Sequence, residues 1–188
     1  MRLYHVGFSE IKTPDLKIGR KNADFAQGFY LSNDLEFSNK WAKTRIDSNT
    51  YLNTYELDIT SLNIKEFKRD NEWFNYIFKN RNNYEDELKD YDVIIGPIAN
   101  DTIYNTWGIL TSGYVSNDKA LEVLTSGPIY YQVVIKTEKA LNNLKFISSI
   151  ILDKDKIKKE QLILRDEEEN YQGLLLKILN KEIKKIFK

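Results

Sequence analysis

The sequence contains no cysteine and only one histidine, His5, among its 188 residues. The absence of cysteine excludes disulfides, thiolate nucleophiles and cysteine-based metal sites, and it agrees with a reducing cytoplasm. A zinc site would need carboxylates around one imidazole, so we expect no metal site. Acid–base chemistry that needs an imidazole near neutral pH has only His5 to use.

The sequence also lacks net charge and long apolar runs. Its 28 basic residues balance 28 acidic residues, so the overall charge favours neither nucleic acid nor an anionic membrane. No apolar stretch approaches the length of a membrane span. The first residues lead into a strand-like segment rather than a signal peptide. We therefore expect a cytoplasmic protein with no membrane partner.

The first 150 residues mix short strand-like segments with a few helices, within a length typical of one domain. Strands are predicted at 2–7, 28–32, 53–58, 62–67, 92–97, 129–136 and 144–147. Helices are predicted at 34–46, 72–80, from 101 onward, at 118–126 and at 138–141, with a turn at Gly127-Pro128. Ser32 or Asn33 is expected to cap the first helix and Asn71 the second. This irregular order is typical of an α+β fold.

The character of the chain changes after residue 150, where charge rises and proline disappears. We predict a domain over residues 1–150 and a helical C-terminal extension over 151–188, with helices at 153–161 and 167–187. An apolar stripe on the second helix is expected to pack on the domain, or else to form a partner or oligomer face. Its members are Tyr171, Leu174, Leu175, Ile178, Leu179, Ile183 and Ile186.

Three residues with polar groups stand on apolar strands: His5, Tyr30 and Gln132. Each has an ordinary explanation by itself, as a satisfied histidine, a core aromatic and an exposed strand position. A polar group on a buried strand costs free energy unless it is paired. Three of them on three separate strands indicate a functional site.

The order Leu-Tyr-His, then Gly-Phe-Tyr-Leu, then a polar residue on a late strand resembles the ADP-ribosyltransferase superfamily, in its His-Tyr-Glu branch. That branch is named for diphtheria toxin and the poly-ADP-ribose polymerases. Over residues 2–147 the chain is most similar to the bacterial domain-of-unknown-function 3990 family. That family is grouped with the ADP-ribosyltransferases and occurs in some toxin–antitoxin-like gene pairs. The segments that carry this similarity are Pro14-Asp15-Leu16, Gly19-Arg20, Asp24-Phe25, Gly28-Phe29-Tyr30-Leu31, Trp41-Ala42, the run from Tyr91 to Asp101, and the run from Lys136 to Leu141.

The resemblance implies a split β-sandwich of two mostly antiparallel sheets with peripheral helices, and NAD as the substrate. His5 would hydrogen-bond a ribose hydroxyl, and the backbone of Val6 would hold the nicotinamide amide. Tyr30 would stack on the nicotinamide ring. Arg20 is a candidate for the pyrophosphate, because guanidinium matches phosphate geometry, although a solvated loop charge also explains it.

Gln132 departs from the superfamily pattern, which usually has Glu at this point. An amide can orient a ribose, but it carries no charge to stabilise a cation and cannot act as a general base. The family-like segments offer Asp92, Asp101 and Glu138 as replacement carboxylates. Asp101 also fits a helix N-cap, and Glu138 also fits a first-turn residue that interacts with the helix dipole.

The resemblance therefore implies NAD-dependent mono-ADP-ribosyl transfer to a protein or nucleic-acid target, in a bacterial or phage toxin of a toxin–antitoxin-like system. An antitoxin would bind the domain or the C-terminal helix. Two alternatives remain open: an NAD glycohydrolase, and a catalytically weak module that binds NAD or a partner.

Overall fold

A computed structural model describes residues 1–99 and 129–186, with only some side chains in the last helix. The chain divides into two compact units, residues 1–98 with 130–164 and residues 99–129 with 165–188. All the strands described below belong to the first unit. Asp101, the helices predicted from 101 onward and at 118–126, and the turn at Gly127-Pro128 lie outside the described residues.

The described residues form two sheets. In chain order the strands are β1 (Arg2–Gly7), β2 (Phe29–Leu31), β3 (Tyr51–Leu57), β4 (Ile64–Glu66), β5 (Val93–Pro97), β6 (Tyr131–Ile135) and β7 (Leu144–Ile151). The first sheet has the order β1-β3-β7 and is antiparallel, and the second has the order β2-β6-β5-β4. Only the β4–β5 pair is parallel. The prediction of an α+β fold with two mostly antiparallel sheets is confirmed.

The described α-helices are α1 (Leu35–Lys40), α2 (Asn71–Arg81), α3 (Glu138–Asn142) and α4 (Lys154–Ile186). The predicted caps of α1 and α2 are wrong: the side chains of Asp34 and Asp70 accept from the free N–H groups of Phe37 and Trp73 instead. Helix α1 ends at residue 40 rather than 46, because residues 45 and 48 pair across a turn. Thr50 donates a hydrogen bond of 2.6 Å to the carbonyl of Lys43 in the same region.

The core follows from the alternation of side chains along the strands. One cluster contains residues of both sheets that are at most 7 % exposed, namely Leu3, Tyr55 and Leu57 from the first sheet and Phe29, Leu31, Val93, Val133 and Ile135 from the second. The opposite face of the second sheet carries Gly96, where an added Cβ would lie 2.7 Å from the Phe25 ring. Glycine at this position therefore lets Phe25 pack directly on the sheet.

Helix α2 and the loop residue Phe25 lie together. The Phe25 ring stacks on Phe67 and Tyr76 at centroid distances of 5.7 and 6.1 Å. The indole N–H of Trp73 donates a hydrogen bond of 2.8 Å to the carbonyl of Pro97 at the end of β5. These contacts join α2 to the second sheet and hold the segment around Phe25.

Helix α4 is one helix of 33 residues, so the prediction of two separate helices is wrong. Residues 162–166 contain neither proline nor glycine, and nothing in this stretch interrupts the helix. In its first turns Ile157 is buried, and the Gln161 amide donates 3.0 Å to the carbonyl of Ala42. All seven side chains of the predicted apolar stripe lie outside the described part. None of the described helices combines the length and apolar character that a membrane span needs.

Candidate functional site

His5 lies on β1 with its ring against β2. Its Nδ1 is 2.8 Å from the carbonyl oxygen of Tyr30, and its ring centroid is 4.9 Å from that of Phe29. Because a carbonyl only accepts, Nδ1 carries the hydrogen and the neutral ring keeps an acceptor lone pair on Nε2. A Cβ added to Gly7 would lie 3.1 Å from Nε2, so the glycine leaves this atom uncovered.

The environment keeps His5 neutral. Burial lowers its pKa below the ordinary value, and the hydrogen bond to Tyr30 only partly opposes that effect. An imidazole held in this way is suited to hydrogen bonding through Nε2 rather than to carrying a charge.

Asn53 positions His5 from the neighbouring strand β3. It is fully buried and lies opposite His5 in the register. Its Nδ2 donates to the carbonyls of His5 and Ser9 at 3.4 and 3.1 Å, and its Oδ1 accepts from the N–H of Ile11 at 3.0 Å. Asn53 thereby ties the loop after β1 to the strand.

Val6 has backbone groups that face β2. Its neighbour two residues earlier, Tyr4, exchanges two hydrogen bonds with Ser32, at 2.8 and 2.9 Å. Because backbone groups alternate sides along a strand, the N–H and C=O of Val6 point the same way as those of Tyr4. Among the described residues no hydrogen bond joins Val6 to β2, so both groups stay available beside His5.

Tyr30 is held by its hydroxyl. The hydroxyl donates to the carbonyl of Ala26 at 2.6 Å and accepts from the N–H of Phe25 at 3.0 Å. Burial raises the pKa of Tyr30 well above its ordinary value, and the N–H of Phe25 opposes this only in part. The hydroxyl therefore stays protonated, as its bond to Ala26 requires.

His5 and Tyr30 meet through the backbone rather than ring to ring. Phe29 and Tyr30 are neighbours in β2, so their side chains point to opposite faces of the sheet. The His5 ring contacts Phe29, which puts it on the other side of β2 from the Tyr30 ring. The one direct link between His5 and Tyr30 is the hydrogen bond to the Tyr30 carbonyl.

Gln132 shares a face of the second sheet with Tyr30. Tyr30 pairs with Val134, and Gln132 is two residues away on the same strand, β6. Its side chain is buried, with 8 % of the residue exposed, so it is not an exposed strand position. Its Nε2 donates a hydrogen bond of 3.3 Å to Oδ2 of Asp24.

Asp24 belongs to the site, although the sequence pattern did not identify it as a candidate carboxylate. Its Oδ1 lies 2.6 Å from an Arg81 Nη atom and accepts from Arg81 Nε at 2.7 Å. Its backbone carbonyl accepts from Asn80 at 3.0 Å. Segment 24–26 therefore contacts Gln132 through Asp24 and Tyr30 through the next two residues. The only sequence signal was the Asp24-Phe25 pair within the family-like segments.

Asp92 and Glu138 do not contact Gln132. Asp92 accepts hydrogen bonds from Thr137 at 2.6 Å, from the N–H of Asn63 at 2.9 Å and from Lys139 at 3.0 Å. It precedes β5 by one residue, whereas Gln132 pairs with Gly96, roughly 13 Å further along that strand. Glu138 is exposed in the first turn of α3, after the Thr137 cap, where an acidic side chain interacts favourably with the helix dipole.

Burial raises the pKa of the Asp92 carboxyl, but the bonds from Asn63, Thr137 and Lys139 outweigh that effect and hold the pKa below its usual range. Asp92 is therefore an ionised carboxylate with several hydrogen-bond donors, at the start of β5 in the second sheet.

Arg20 lies in the loop that follows a short 3-10 helix at Leu16–Ile18, and its side chain is exposed. Its positive charge lowers the pKa of the Tyr30 hydroxyl, against the larger effect of burial. Arg20 therefore acts electrostatically on the same hydroxyl that segment 24–26 binds.

A pocket of about 400 Å³ lies beside segment 24–26. Its lining combines three lysines with one carboxylate and polar side chains, and consists of Lys21, Ala26, Gln27, Asn83, Tyr84, Asp86, Lys89 and Lys136. Lys21 and Lys89 are exposed, whereas the Lys136 side chain is only 3 % exposed and lies 2.6 Å from Asp86. The volume is in the range of pockets that bind small molecules.

No group of three or more His, Cys, Asp or Glu side chains is placed to hold a metal ion in the part of the chain that the structure describes. The structure therefore offers no metal centre among these residues to add to the site.

A family model with the description "Protein of unknown function (DUF3990)" matches residues 1–146. The match includes β1 to β6, α3 and every described residue of the candidate site. No curated protein and no solved structure matches the chain.

Proposed function

The chain belongs to the DUF3990 family, and for this member we propose NAD-dependent mono-ADP-ribosyl transfer to a protein or nucleic-acid target. Membership of the ADP-ribosyltransferase superfamily is part of this proposal. The observation that carries it is the junction of β1 and β2. There Nδ1 of the neutral His5 ring is hydrogen-bonded to the carbonyl of Tyr30 on β2. The N–H and C=O of the next residue, Val6, face β2 and have no partner on it among the described residues.

The proposed reaction breaks the bond between the ribose carbon C1′ and the nicotinamide nitrogen. Nicotinamide leaves with the bonding electron pair, and positive charge develops on the ribose, as in glycoside cleavage. A nucleophilic oxygen or nitrogen of the acceptor then bonds to C1′ and loses its proton. Such a site must hold the ribose and the ring rigidly while the charge grows.

The residues at the junction offer suitable groups. Nε2 of His5 can accept a hydrogen bond from a ribose hydroxyl, because Nδ1 is committed to Tyr30. The N–H and C=O of Val6 complement the oxygen and the NH₂ group of a carboxamide. These groups support the assignment of His5 and Val6 to substrate positioning.

Positive charge near Tyr30 supports a site for the diphosphate. Arg20 acts on the Tyr30 hydroxyl, and Lys21 and Lys89 line the pocket beside Ala26. A guanidinium group binds phosphate oxygens in a planar, two-point geometry, and a lysine acts on them as a point charge.

Two observations support two alternatives, an NAD glycohydrolase and a catalytically weak binding module. Gln132 carries no charge, and the Tyr30 ring is fastened by two hydrogen bonds on the far side of β2 from His5. The cytoplasmic location, which the absence of cysteine suggests, is also a proposal. The toxin role and an antitoxin that binds the domain or the C-terminal helix are proposals that follow from the family resemblance.

The test is incubation of the full chain with NAD labelled in its ADP-ribose half, together with cell extract. We expect label on a macromolecule and release of nicotinamide. Free labelled ADP-ribose alone would favour the glycohydrolase, and NAD binding without either product would favour the binding module. A chain that neither binds nor cleaves NAD would contradict all three.

His5→Ala is expected to lower nicotinamide release about tenfold or more, because Nε2 would no longer position the ribose. Arg2→Ala is the matched control on the same strand, since Arg2 is exposed, and it should leave the rate unchanged. Equal rates for the two variants would remove His5 from the site.

A further inference from the structure

We propose that the pocket beside segment 24–26 binds the phosphoryl group of a nucleotide, with the base against Tyr84. The pocket has a volume of about 400 Å³, which suits a small molecule better than a simple ion. One of its lining residues, Lys136, follows β6 on the face that carries the Tyr30 side chain, opposite the His5 ring. The proposal concerns binding, and it stands whether or not the chain cleaves NAD.

The first argument is the unused donor of Lys136. Its ammonium group has three N–H donors, and two of them go to Asp86 at 2.6 Å and to the carbonyl of Phe25 at 2.7 Å. The third has no acceptor among the described residues. Burial lowers the pKa of Lys136, and Asp86 opposes this effect only in part, so the charge is incompletely compensated. A phosphoryl oxygen in the pocket would accept from the third donor and supply further negative charge.

The second argument is the charge of the lining, in which three lysines stand against one carboxylate. The side chain of Lys21 is exposed and has no carboxylate partner among the described residues. Lys89 lies 2.7 Å from Glu85, but both side chains are largely exposed, and water weakens such a pair. Two mobile ammonium groups are therefore available to an anion, in addition to the fixed one of Lys136.

The third argument is the rigidity of the loop that carries Lys21. The Gln27 amide donates one hydrogen to the carbonyl of Lys17 and the other to that of Gly19, each at 2.9 Å. A side chain on Gly19 would clash with the carbonyl oxygen of Gly28, so the backbone at the two ends of the loop is in direct contact. A loop held in this way loses little conformational entropy when a ligand binds.

Two lining residues, Ala26 and Asn83, have a left-handed backbone, with φ angles of 58° and 60°. No other non-glycine residue in the described part of the chain has a positive φ. Asparagine tolerates this conformation, whereas alanine adopts it rarely. Such backbone strain concentrates at binding sites, where the surroundings hold it, and here the Tyr30 hydroxyl donates to the Ala26 carbonyl at 2.6 Å. The strain therefore supports a binding role for the pocket.

The rim of the pocket has groups that suit a base. Tyr84 is 63 % exposed, and its ring stacks on none of the described aromatic residues, so the ring can receive a base. The neighbouring Asn83 is exposed, and its amide offers the donors and the acceptor that a base edge needs. An aromatic ring at the rim and lysines for a phosphoryl group together indicate a nucleotide.

Two molecules could bring this nucleotide. One is NAD, whose diphosphate the proposed function puts near Tyr30. The other is a separate nucleotide, which the position of the pocket on the face opposite the His5 ring allows. The chemistry that the pocket recognises is the same in both cases, and the experiment distinguishes the two sources.

The experiment is calorimetric titration of the full chain with AMP and with inorganic pyrophosphate. Lys21→Glu should weaken the binding of both probes about tenfold or more, because it replaces a free cation by an anion. Tyr84→Ala should weaken AMP about fivefold or more and leave pyrophosphate unchanged, because only AMP has a base to stack. Lys17→Glu is the matched control, since Lys17 is exposed on the same loop but does not line the pocket, and it should change neither.

No binding of AMP by the wild-type chain, or equal losses for Lys21→Glu and Lys17→Glu, would overturn the proposal. An equal loss of pyrophosphate binding in Tyr84→Ala would overturn the assignment of the base to Tyr84. Nicotinamide release without AMP binding would overturn the proposal and leave the proposed function standing, and AMP binding without nicotinamide release would do the reverse.

The source follows from the KM for NAD in the nicotinamide assay. If NAD occupies the pocket, AMP should raise this KM, and Lys21→Glu should raise it in the absence of AMP. If a separate nucleotide occupies the pocket, AMP should bind to the chain and leave the KM for NAD unchanged. Both results support a nucleotide site, and they identify different ligands.

Discussion

The two ends of β6 hold buried polar groups in different ways. At the carboxyl end Lys136 lies 2.6 Å from Asp86, and Asp92 lies 3.0 Å from Lys139. At the amino end the uncharged Gln132 meets one carboxylate at 3.3 Å. Segment 24–26 spans both ends, because the carbonyl of Phe25 also accepts from Lys136 at 2.7 Å.

The difference lies in how much hydrogen-bonding capacity is left. Lys136 donates to Asp86 and to Phe25, and Asp92 accepts three hydrogen bonds. These groups bind the elements of the second sheet together. Gln132 keeps a free acceptor oxygen among the described residues, as His5 keeps Nε2. Among the described residues, the buried groups at the carboxyl end of β6 are therefore paired, whereas the amino end keeps an acceptor oxygen without a partner.

The largest expected effect is at the Lys136 end. Lys136→Met should destabilise the fold by about 3 kcal/mol, because it leaves Asp86 without its opposite charge in a partly buried place. Urea unfolding measures the change. Lys79→Met, which breaks the exposed pair with Glu87, is the control and should cost less than about 1 kcal/mol. Similar losses for the two variants would show that the buried Lys136–Asp86 pair contributes no more to stability than an exposed one.

Asp92→Asn should have an intermediate effect, a loss of about 1–3 kcal/mol at neutral pH, since it weakens bonds to three separate segments. The pKa of Asp92 is lowered in the folded protein. Its contribution is therefore complete above the ordinary pKa of an aspartate and is lost as the pH falls through the lowered value. Acid unfolding of the variant should be less steep than that of the wild type. Glu138→Gln, an exposed neighbour, should leave the acid profile unchanged.

The smallest effect concerns His5, whose ring packs on Phe29 of β2. Its pKa is lowered on folding, so the unfolded chain binds a proton at a higher pH than the folded chain. Stability is complete above the unfolded value of about 6.5 and declines as the pH falls below it. His5→Gln should remove this decline between pH 7 and 5. Because the chain has one histidine, an unchanged decline would show that His5 does not cause it.

The strands were predictable because their signal is local. The apolar run at 129–136 is β6, and the run at 2–7 is β1. The helix ends were less predictable, because Ser, Asn and Asp cap helices about equally well. Only the fold selects Asp34 and Asp70 as the caps of α1 and α2. Strand β7 extends to Ile151, beyond the predicted residue 147, because β3 pairs with it along its whole length.

The candidate site was predictable in part. His5, Tyr30 and Gln132 were recognisable as residues with polar groups on apolar strands. The contact of Gln132 with Asp24 and that of Asp24 with Arg81 were not predictable, because the two residues lie 108 apart in the chain in the first pair and 57 apart in the second. The family was also predictable, since the match over residues 1–146 confirms the similarity that the segments indicated.

The sequence by itself determined the chemical inventory: no thiol, one imidazole, and an amide, Gln132, on an apolar strand. It also determined the strands, through the alternation of apolar side chains. Only the tertiary structure decided that the His5 and Tyr30 rings lie on opposite sides of β2 and that Asp24 reaches Gln132. These contacts depend on how α2 and segment 24–26 pack on the second sheet. Such packing joins residues far apart in the chain, and no local pattern encodes it.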